Sequence, residues 1–332
     1  MNYREHILII RLSALGDVAI LAPVVRERAS ANPDVLFSVA APPLLAPLFS
    51  GMENVRFVPT KKQPAKKLFQ SLAPLNPTLV ADMHHVNRII VVDGLFRFHG
   101  VKVCSVRKNH YARWRMMRSR DKQLKPLKPA WQRYDEVFDA CGLNKSPKER
   151  WEIIESRHRR DCDARYIGIA PFAQHYGKIW PLSSMEQLVA SLSEDSRNRL
   201  LLFGSKNESA ILRPWTEKYP HVELLAGRFS FEEELRRIAD LDLMVSMDSA
   251  NMHFASCLNV PVVSIWGATH PNAGFYGWRQ NPDNAVQISL PCRPCSAYGN
   301  KPCKTGDYRC LKNITPQMVQ EKIEAVLDHP EV

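Results

Sequence analysis

Residues 6–20 read HILIIRLSALGDVAI, and their parsing settles what kind of molecule this is. Ile7 to Ile10 form an unbroken apolar run, as expected of a strand buried on both faces of a parallel sheet, and the spacing predicts a strand over 6–12. Ser13, Gly16 and Asp17 interrupt the run, and a helix-favouring stretch, VAILAPVVRERAS, follows. Strand, turn and helix in that order make a βα unit. In open α/β sheets, ligands gather beyond the carboxyl ends of the strands. SALGD lies at such an end, with Gly16 allowing close backbone passage and Asp17 offering a carboxylate at the start of the helix. The competing explanation is that Asp17 merely caps the helix, worth ~1 kcal/mol. The turn lacks the three-glycine fingerprint of a dinucleotide fold.

The same rhythm extends outward from this unit. Strands are expected at 36–41, 55–59, 78–83 and 102–106, with VNRIIVVDGLFRF among the helices between them. KPAWQRYDEVFDACGL (128–143) reads as a helix ended by Gly142, and the polar stretch 145–165 as a linker. The pattern then restarts, with strands expected at 166–171, 199–204, 222–227, 242–247 and 260–267. SSMEQLVASLSE and SFEEELRRIAD read as helices, and ITPQMVQEKIEAVLDH as a closing helix capped by Thr315 with Pro316 at its first position. The expectation is an α/β protein of two Rossmann-like domains with mainly parallel sheets, residues 1–155 and 156–332, facing across a cleft.

A chain of 332 residues suits two domains of about 150. It has no stretch of the ~20 apolar residues a spanning helix needs, and no basic, apolar and small-residue succession at its start. A soluble cytoplasmic protein is expected. The net charge is +11, and it is unevenly placed. Residues 1–150 hold 25 Lys and Arg against 12 Asp and Glu, whereas the remainder holds 20 against 22. The excess peaks in RKNHYARWRMMRSRDKQLKPLK (107–128), where Asp121 is the sole acid among nine basic residues. Such a field draws nucleic acid, an anionic membrane surface or a phosphorylated substrate, unless it is simply a solvated face.

The second half places more chemistry at strand ends. MDSANMHFAS (247–256) follows a predicted strand. Asp248 and Ser249 are natural caps there, and the amides of the helix start favour a diphosphate. His253, four residues after Ser249, shares its helix face, with a core histidine as the alternative. Lys178 precedes a helix and reaches a phosphate as a point charge. Glu208, in FGSKNESAIL, is placed to accept from ribose hydroxyls, and GATHPNAGFYGW (267–278) is a Gly/Pro-rich loop after the next strand. Together these outline a nucleotide site.

The pairing of IIRLSALGDV with SMDSANMHFASCLNVPVVSIWGATHP resembles the ADP-heptose:lipopolysaccharide heptosyltransferases of glycosyltransferase family 9. The likeness extends over nearly the whole chain and is strongest at 6–26 and 241–272. It implies a GT-B fold and an inverting transfer of heptose from an ADP-sugar, with no metal or other cofactor required for catalysis. It also implies an anionic lipid-linked oligosaccharide acceptor, met at the cytoplasmic surface of the inner membrane by a peripheral enzyme. In that light Asp17 matches the general base. Lys178, Glu208, Asp248, Ser249 and His253 match the donor-nucleotide site, and Gly16, Gly267 and Thr269 the loops beside it. Arg107, Lys108, Arg113, Arg115 and Arg118 are the basic residues expected to meet the acceptor. Ala250 departs from the glycine common in the family after the Asp-Ser pair, which leaves another sugar nucleotide or acceptor as the alternative within the fold. A nucleic-acid binder would explain the basic stretch. It would leave the strand-end clusters idle, and only Tyr111 and Trp114 are available there as a stacking platform.

Cys292, Cys295, Cys303 and Cys310 are spaced C-x2-C-x7-C-x6-C. In a reducing cytosol disulfides are not expected, and the four are either free, loosely packed thiols or a structural zinc site remote from the chemistry. Cys104, Cys141, Cys162 and Cys257 are expected as buried small hydrophobes.

Overall fold

A computed structural model describes residues 3–118, 125–145 and 163–329. The chain divides into two compact units, Met1–Lys108 with Lys128–Ile153, and Asn109–Leu127 with Ile154–Val332.

The first unit holds strands β1 (Glu5–Ile10), β2 (Val35–Ala41), β3 (Val55–Pro59), β4 (Leu79–Asp82) and β5 (Lys102–Ser105). They form one sheet in the order β3-β2-β1-β4-β5, with every neighbouring pair parallel. Helices α1 (Leu15–Ala31), α2 (Ala65–Leu72) and α3 (Asn87–Phe98) connect the strands. Leu8 and Ile10 pack on one face with Leu68, Leu72, Val80, Ile89, Val92 and Phe96. Buried Arg28 of α1 donates to the Asp135 carboxylate at 2.9 Å and to the Leu143 carbonyl at 2.8 Å. It thereby locks a later helix, α5 (Ala130–Ala140), onto the same unit.

The helix α4 (His110–Arg118) belongs to the second unit. There Arg113 lies over the Phe275 ring at 4.7 Å and the Leu127 amide donates to the Asn272 carbonyl at 2.9 Å. These contacts replace the single expected boundary at 155 by a discontinuous division. The second sheet comprises β6 (Arg165–Ala170), β7 (Asn198–Leu202), β8 (Val222–Leu224), β9 (Leu243–Met247), β10 (Val262–Trp266) and β11 (Ala285–Gln287). Its order is β11-β10-β9-β6-β7-β8, again parallel throughout. Helices α6 (Leu182–Ser193), α7 (Ser209–Lys218), α8 (Phe231–Ala239), α9 (Ala250–Cys257), α10 (Arg309–Lys312) and α11 (Pro316–Asp328) complete it. Thr315 caps α11 by accepting from the Met318 amide at 3.2 Å, as the sequence predicts. Both strand orders follow the doubly wound scheme, in which the first strand of each half is central. Among the described residues no helix is long and apolar enough to cross a membrane.

Candidate active site

In the first unit polar side chains gather where β1 and β4 end. Helix α1 starts earlier than the sequence predicts. Ala14 occupies the cap position and Asp17 the third helical position, where its Oδ2 accepts from the Ala14 amide at 3.3 Å. Asp17 is therefore not the N-cap. It is the counter-ion of Arg11, the first residue beyond β1, with which it forms an ion pair. Arg11 is buried, donates to the Met83 carbonyl at 2.5 Å, and lies 5.7 Å from the centre of the Tyr134 ring. Burial works against its charge, but Tyr134 and Asp17 outweigh that and hold the guanidinium above its ordinary range. The Tyr134 hydroxyl donates to Asp17 Oδ1 at 3.4 Å, and burial raises the phenol so far that it stays a neutral donor. The Asp17 side chain keeps 21% exposure, so this braced carboxylate still meets solvent. Beside it, His84 Nε2 and Ser13 Oγ are 3.1 Å apart. Burial, aided by Arg11, pushes His84 down to about 4, so the ring is neutral at neutral pH.

Gly16 is buried in the first turn of α1. Arg11, Tyr134 and His84 escape the sequence reading. Arg11 is visible only as the first polar residue after an apolar strand, and Tyr134 lies 117 residues from its partner.

In the second unit Thr269, Asp248, Lys178 and Glu208 follow the ends of β10, β9, β6 and β7, four successive strands of the sheet. The first three meet. Lys178, in a 3-10 turn at Tyr176–Lys178, holds Asp248 Oδ2 at 2.8 Å and donates to the Asp248 carbonyl at 3.1 Å. Thr269 Oγ1 donates to the same Oδ2 at 2.8 Å. An ammonium carries three donors, so Lys178 retains one for a ligand. Ser249 is the N-cap of α9, but its side chain makes no cap bond. Its Oγ is instead 3.1 Å from that of Ser246. His253 is buried on α9.

Glu208 stands apart from that trio. It occupies the N-cap position of α7 at the next strand end without a side-chain cap bond, and its Oε2 instead accepts from the upstream Ser205 amide at 2.6 Å.

The loop after β10 approaches the Lys178 turn so closely that only glycine fits at 267. A Cβ there would lie 2.6 Å from the Gly177 carbonyl oxygen. Arg293, also missed by the sequence reading, holds this loop from beneath. Its Nε donates to the Gly267 carbonyl at 2.5 Å and its Nη2 to that of Thr269 at 2.9 Å.

The basic residues separate. Arg107, Arg115 and Arg118 are exposed and Lys108 is half-buried, whereas Arg113 is buried under Phe275. Arg113 is thus a packing residue and not a free cation for an acceptor. On the exposed side of α4 Tyr111 and Trp114 stack at 5.9 Å, and Arg118 lies over the Trp114 ring at 4.8 Å.

The four clustered cysteines line one small pocket with Thr305, Asp307 and Tyr308. Burial and the neighbouring thiols raise Cys295, and burial pushes Cys310 up to about 11, while hydrogen bonds from Thr305 and its neighbours lower Cys303. Cys141 and Cys257 are buried and Cys104 half-buried, all as free thiols. Cys162 lies outside the described residues.

A model of Glycosyltransferase family 9 (heptosyltransferase) matches residues 95–308. Lipopolysaccharide heptosyltransferase 1 of Salmonella typhimurium is 24% identical over 303 residues, covering 83% of this chain and 92% of that one. Lipooligosaccharide heptosyltransferase 2 of Campylobacter jejuni is 25% identical over 166 residues, and there the match spans about half of each chain, 48% and 51%. The solved structure of Escherichia coli heptosyltransferase WaaC with ADP-2-deoxy-2-fluoro heptose superposes with a TM-score of 0.67 at 20% identity, covering 96% of this chain and 99% of that one. The two parallel α/β units are those of the GT-B class. The chain belongs to glycosyltransferase family 9, the heptosyltransferase family.

Proposed function

We propose that the protein transfers a heptose from ADP-heptose to an anionic lipopolysaccharide inner-core acceptor, with inversion and with Asp17 as general base. The observation that carries this reading is the Asp17 carboxylate, braced by Arg11 and Tyr134 yet open to solvent. The acceptor hydroxyl gives its proton to Asp17 as its oxygen attacks the anomeric carbon. The bond to the diphosphate breaks, and ADP leaves with the electron pair. Lys178 and the amide end of α9 offset the charge that grows on the departing diphosphate. A positioned base of this kind contributes about 10²–10⁴-fold. The relatives' names and the ADP-heptose analogue in the WaaC complex support the choice of donor and acceptor class. The test is turnover of purified protein with ADP-heptose and a Kdo-terminated lipid acceptor, alongside calorimetry with ADP, UDP and GDP. Tighter binding of UDP or GDP would overturn the donor while sparing the fold.

The alternative of another sugar nucleotide rests on Ala250, whose methyl group stands at the first position of α9. The same calorimetry decides it. The exposed cations and stacked aromatics of α4 suit a peripheral contact with an anionic membrane surface. A structural zinc ion held by Cys292, Cys295, Cys303 and Cys310 rests on their spacing and shared pocket alone, since among the described residues no three of their sulfurs lie within 4.8 Å of one another. Metal analysis of the purified protein before and after Cys292→Ser tests that.

A further inference from the structure

Behind the loop that supports Arg11, two carboxylates are packed into the dry interior of the first unit. Asp82 ends β4 and Asp93 lies on α3, and both are almost wholly inaccessible to solvent, at 0% and 1%. Two ionised carboxylates so placed repel each other and are poorly solvated, so the pair needs either a proton or a cation between its members. His85 completes the group. A ligand atom of each of the three residues lies within 4.8 Å of those of the other two.

The three side chains converge. Asp82 Oδ1 is saturated by the His84 and His85 amides, both at 2.8 Å. That leaves Oδ2 directed at His85 Nδ1, 3.2 Å away. Asp93 Oδ2 accepts from Ser105 Oγ at 3.3 Å, whereas its Oδ1 is buried and receives no hydrogen bond. Asp82 thus has one oxygen held by backbone amides and the other by the His85 ring, the Asp93 carboxyl lies within hydrogen-bonding reach of Asp82, and Asp93 Oδ1 is the one buried oxygen of the pair without a donor. Ligand atoms on one edge of a coordination polyhedron with ~2.1 Å bonds lie about 3 Å apart, close to the spacing of Asp82 and His85. The His85 backbone adopts a left-handed conformation, φ 43°, and the half-exposed ring stands between the buried acids and solvent.

We propose that Asp82, His85 and Asp93 form a divalent-cation site, separate from the cysteine pocket and from the transfer chemistry. Two carboxylates and one imidazole form a donor set for Mn²⁺ or Zn²⁺, with water filling the open positions. The ion clamps the Met83–His85 turn, and through it the Met83 carbonyl that receives Arg11 and the His84 ring that meets Ser13. Its role is to stiffen the floor beneath Asp17.

Mn²⁺ is the probe of choice, because thiolates favour softer ions and the cysteine pocket will not compete. The full chain is titrated with Mn²⁺ at pH 7.5, followed by electron paramagnetic resonance and by melting temperature. One Mn²⁺ per chain is expected, with a rise in Tm at saturation. Asp93→Asn and His85→Ala should each weaken binding by about tenfold or more and abolish the Tm rise, while Cys292→Ser leaves both unchanged. His85 is exposed enough that its variant folds even if Asp93→Asn does not. The proposal is overturned by absence of binding up to millimolar Mn²⁺, or by undiminished binding in His85→Ala. A protonated carboxyl band in the infrared spectrum that survives excess Mn²⁺ would overturn it too, and would assign a shared proton in the ion's place.

Discussion

The base role proposed for Asp17 and its pairing with Arg11 are separable by experiment. Asp17→Asn retains a side chain that accepts the Ala14 amide but removes both the basic oxygen and the counter-ion of a buried arginine. We expect ADP affinity to be unchanged and turnover to fall at least ~100-fold. The loss of charge opposite Arg11 should also lower Tm, since truncating one partner of a largely buried pair leaves the other uncompensated. Turnover above about a tenth of the wild type would reduce Asp17 to a structural partner of Arg11. His270 makes a second prediction at this scale. Burial, reinforced by Arg293, pushes it down to about 4 from its ordinary 6.5, so it is neutral in the folded protein. Below pH 6.5 the unfolded chain takes up a proton that the folded chain refuses. Stability present above that pH is lost as the pH falls toward 4, by an amount on the order of 1–2 kcal/mol because the ring is only partly shielded. His270→Asn keeps an acceptor for the Asn272 amide and does not titrate, so its Tm should decline less steeply between pH 7 and 4.5.

Strands and turns set the next scale. Gly267→Ala would push a methyl group against the Gly177 carbonyl and the Leu311 side chain. Backbone cannot swing aside, so a loss of about 1–3 kcal/mol is expected. ADP affinity should also drop about tenfold, a change of ~1.4 kcal/mol, as Thr269, Asp248 and Lys178 shift together. Unchanged calorimetry would show that the close approach does not govern the site. For α4 the informative variant replaces Arg107, Arg115 and Arg118 by Ser and spares Arg113, which packs on Phe275. The acceptor KM should rise strongly and the donor KM little, with wild-type acceptor binding weakened by salt. Equal kinetics in the variant would leave a solvated face. The elements themselves were largely legible. VRFVP reads as the strand it is, because a short β-branched and aromatic run between turns has few other options. AVQ, the three-residue β11, has no strand signal of its own, since so short an edge strand is defined by its neighbour β10. The start of α1 is hidden from the sequence because Ala14 is no capping residue by type, and its place depends on an aspartate one turn ahead.

For the whole molecule, the restarting strand rhythm implies the two parallel sheets that are found, and the Gly-Asp and Asp-Ser turns mark strand ends where Arg11 meets Asp17 and Lys178 meets Asp248. What local pattern does not encode is long-range pairing. Arg11 with Tyr134, Arg293 beneath Gly267 and α4 beside Phe275 all join residues remote in sequence. Because each unit has its own sheet and core, ADP should stabilise them unequally. Hydrogen exchange with and without ADP should show protection at 176–180, 204–209, 248–252 and 267–270 and little change around Asp17. Comparable protection around Asp17 would assign the nucleotide a wider footprint.

The interleaving of the two units has a consequence in time. Arg113 leaves the ribosome roughly 160 residues before Phe275, the ring it packs against. At ordinary synthesis rates that interval is about 8–30 s. For that span the nascent chain carries a basic helix bearing Tyr111 and Trp114 before its own partner exists, although Arg28 can already clasp Asp135 and close the first unit. The surface that α4 later offers is therefore on view, more fully than it will ever be again, while the second half of the protein is still being made.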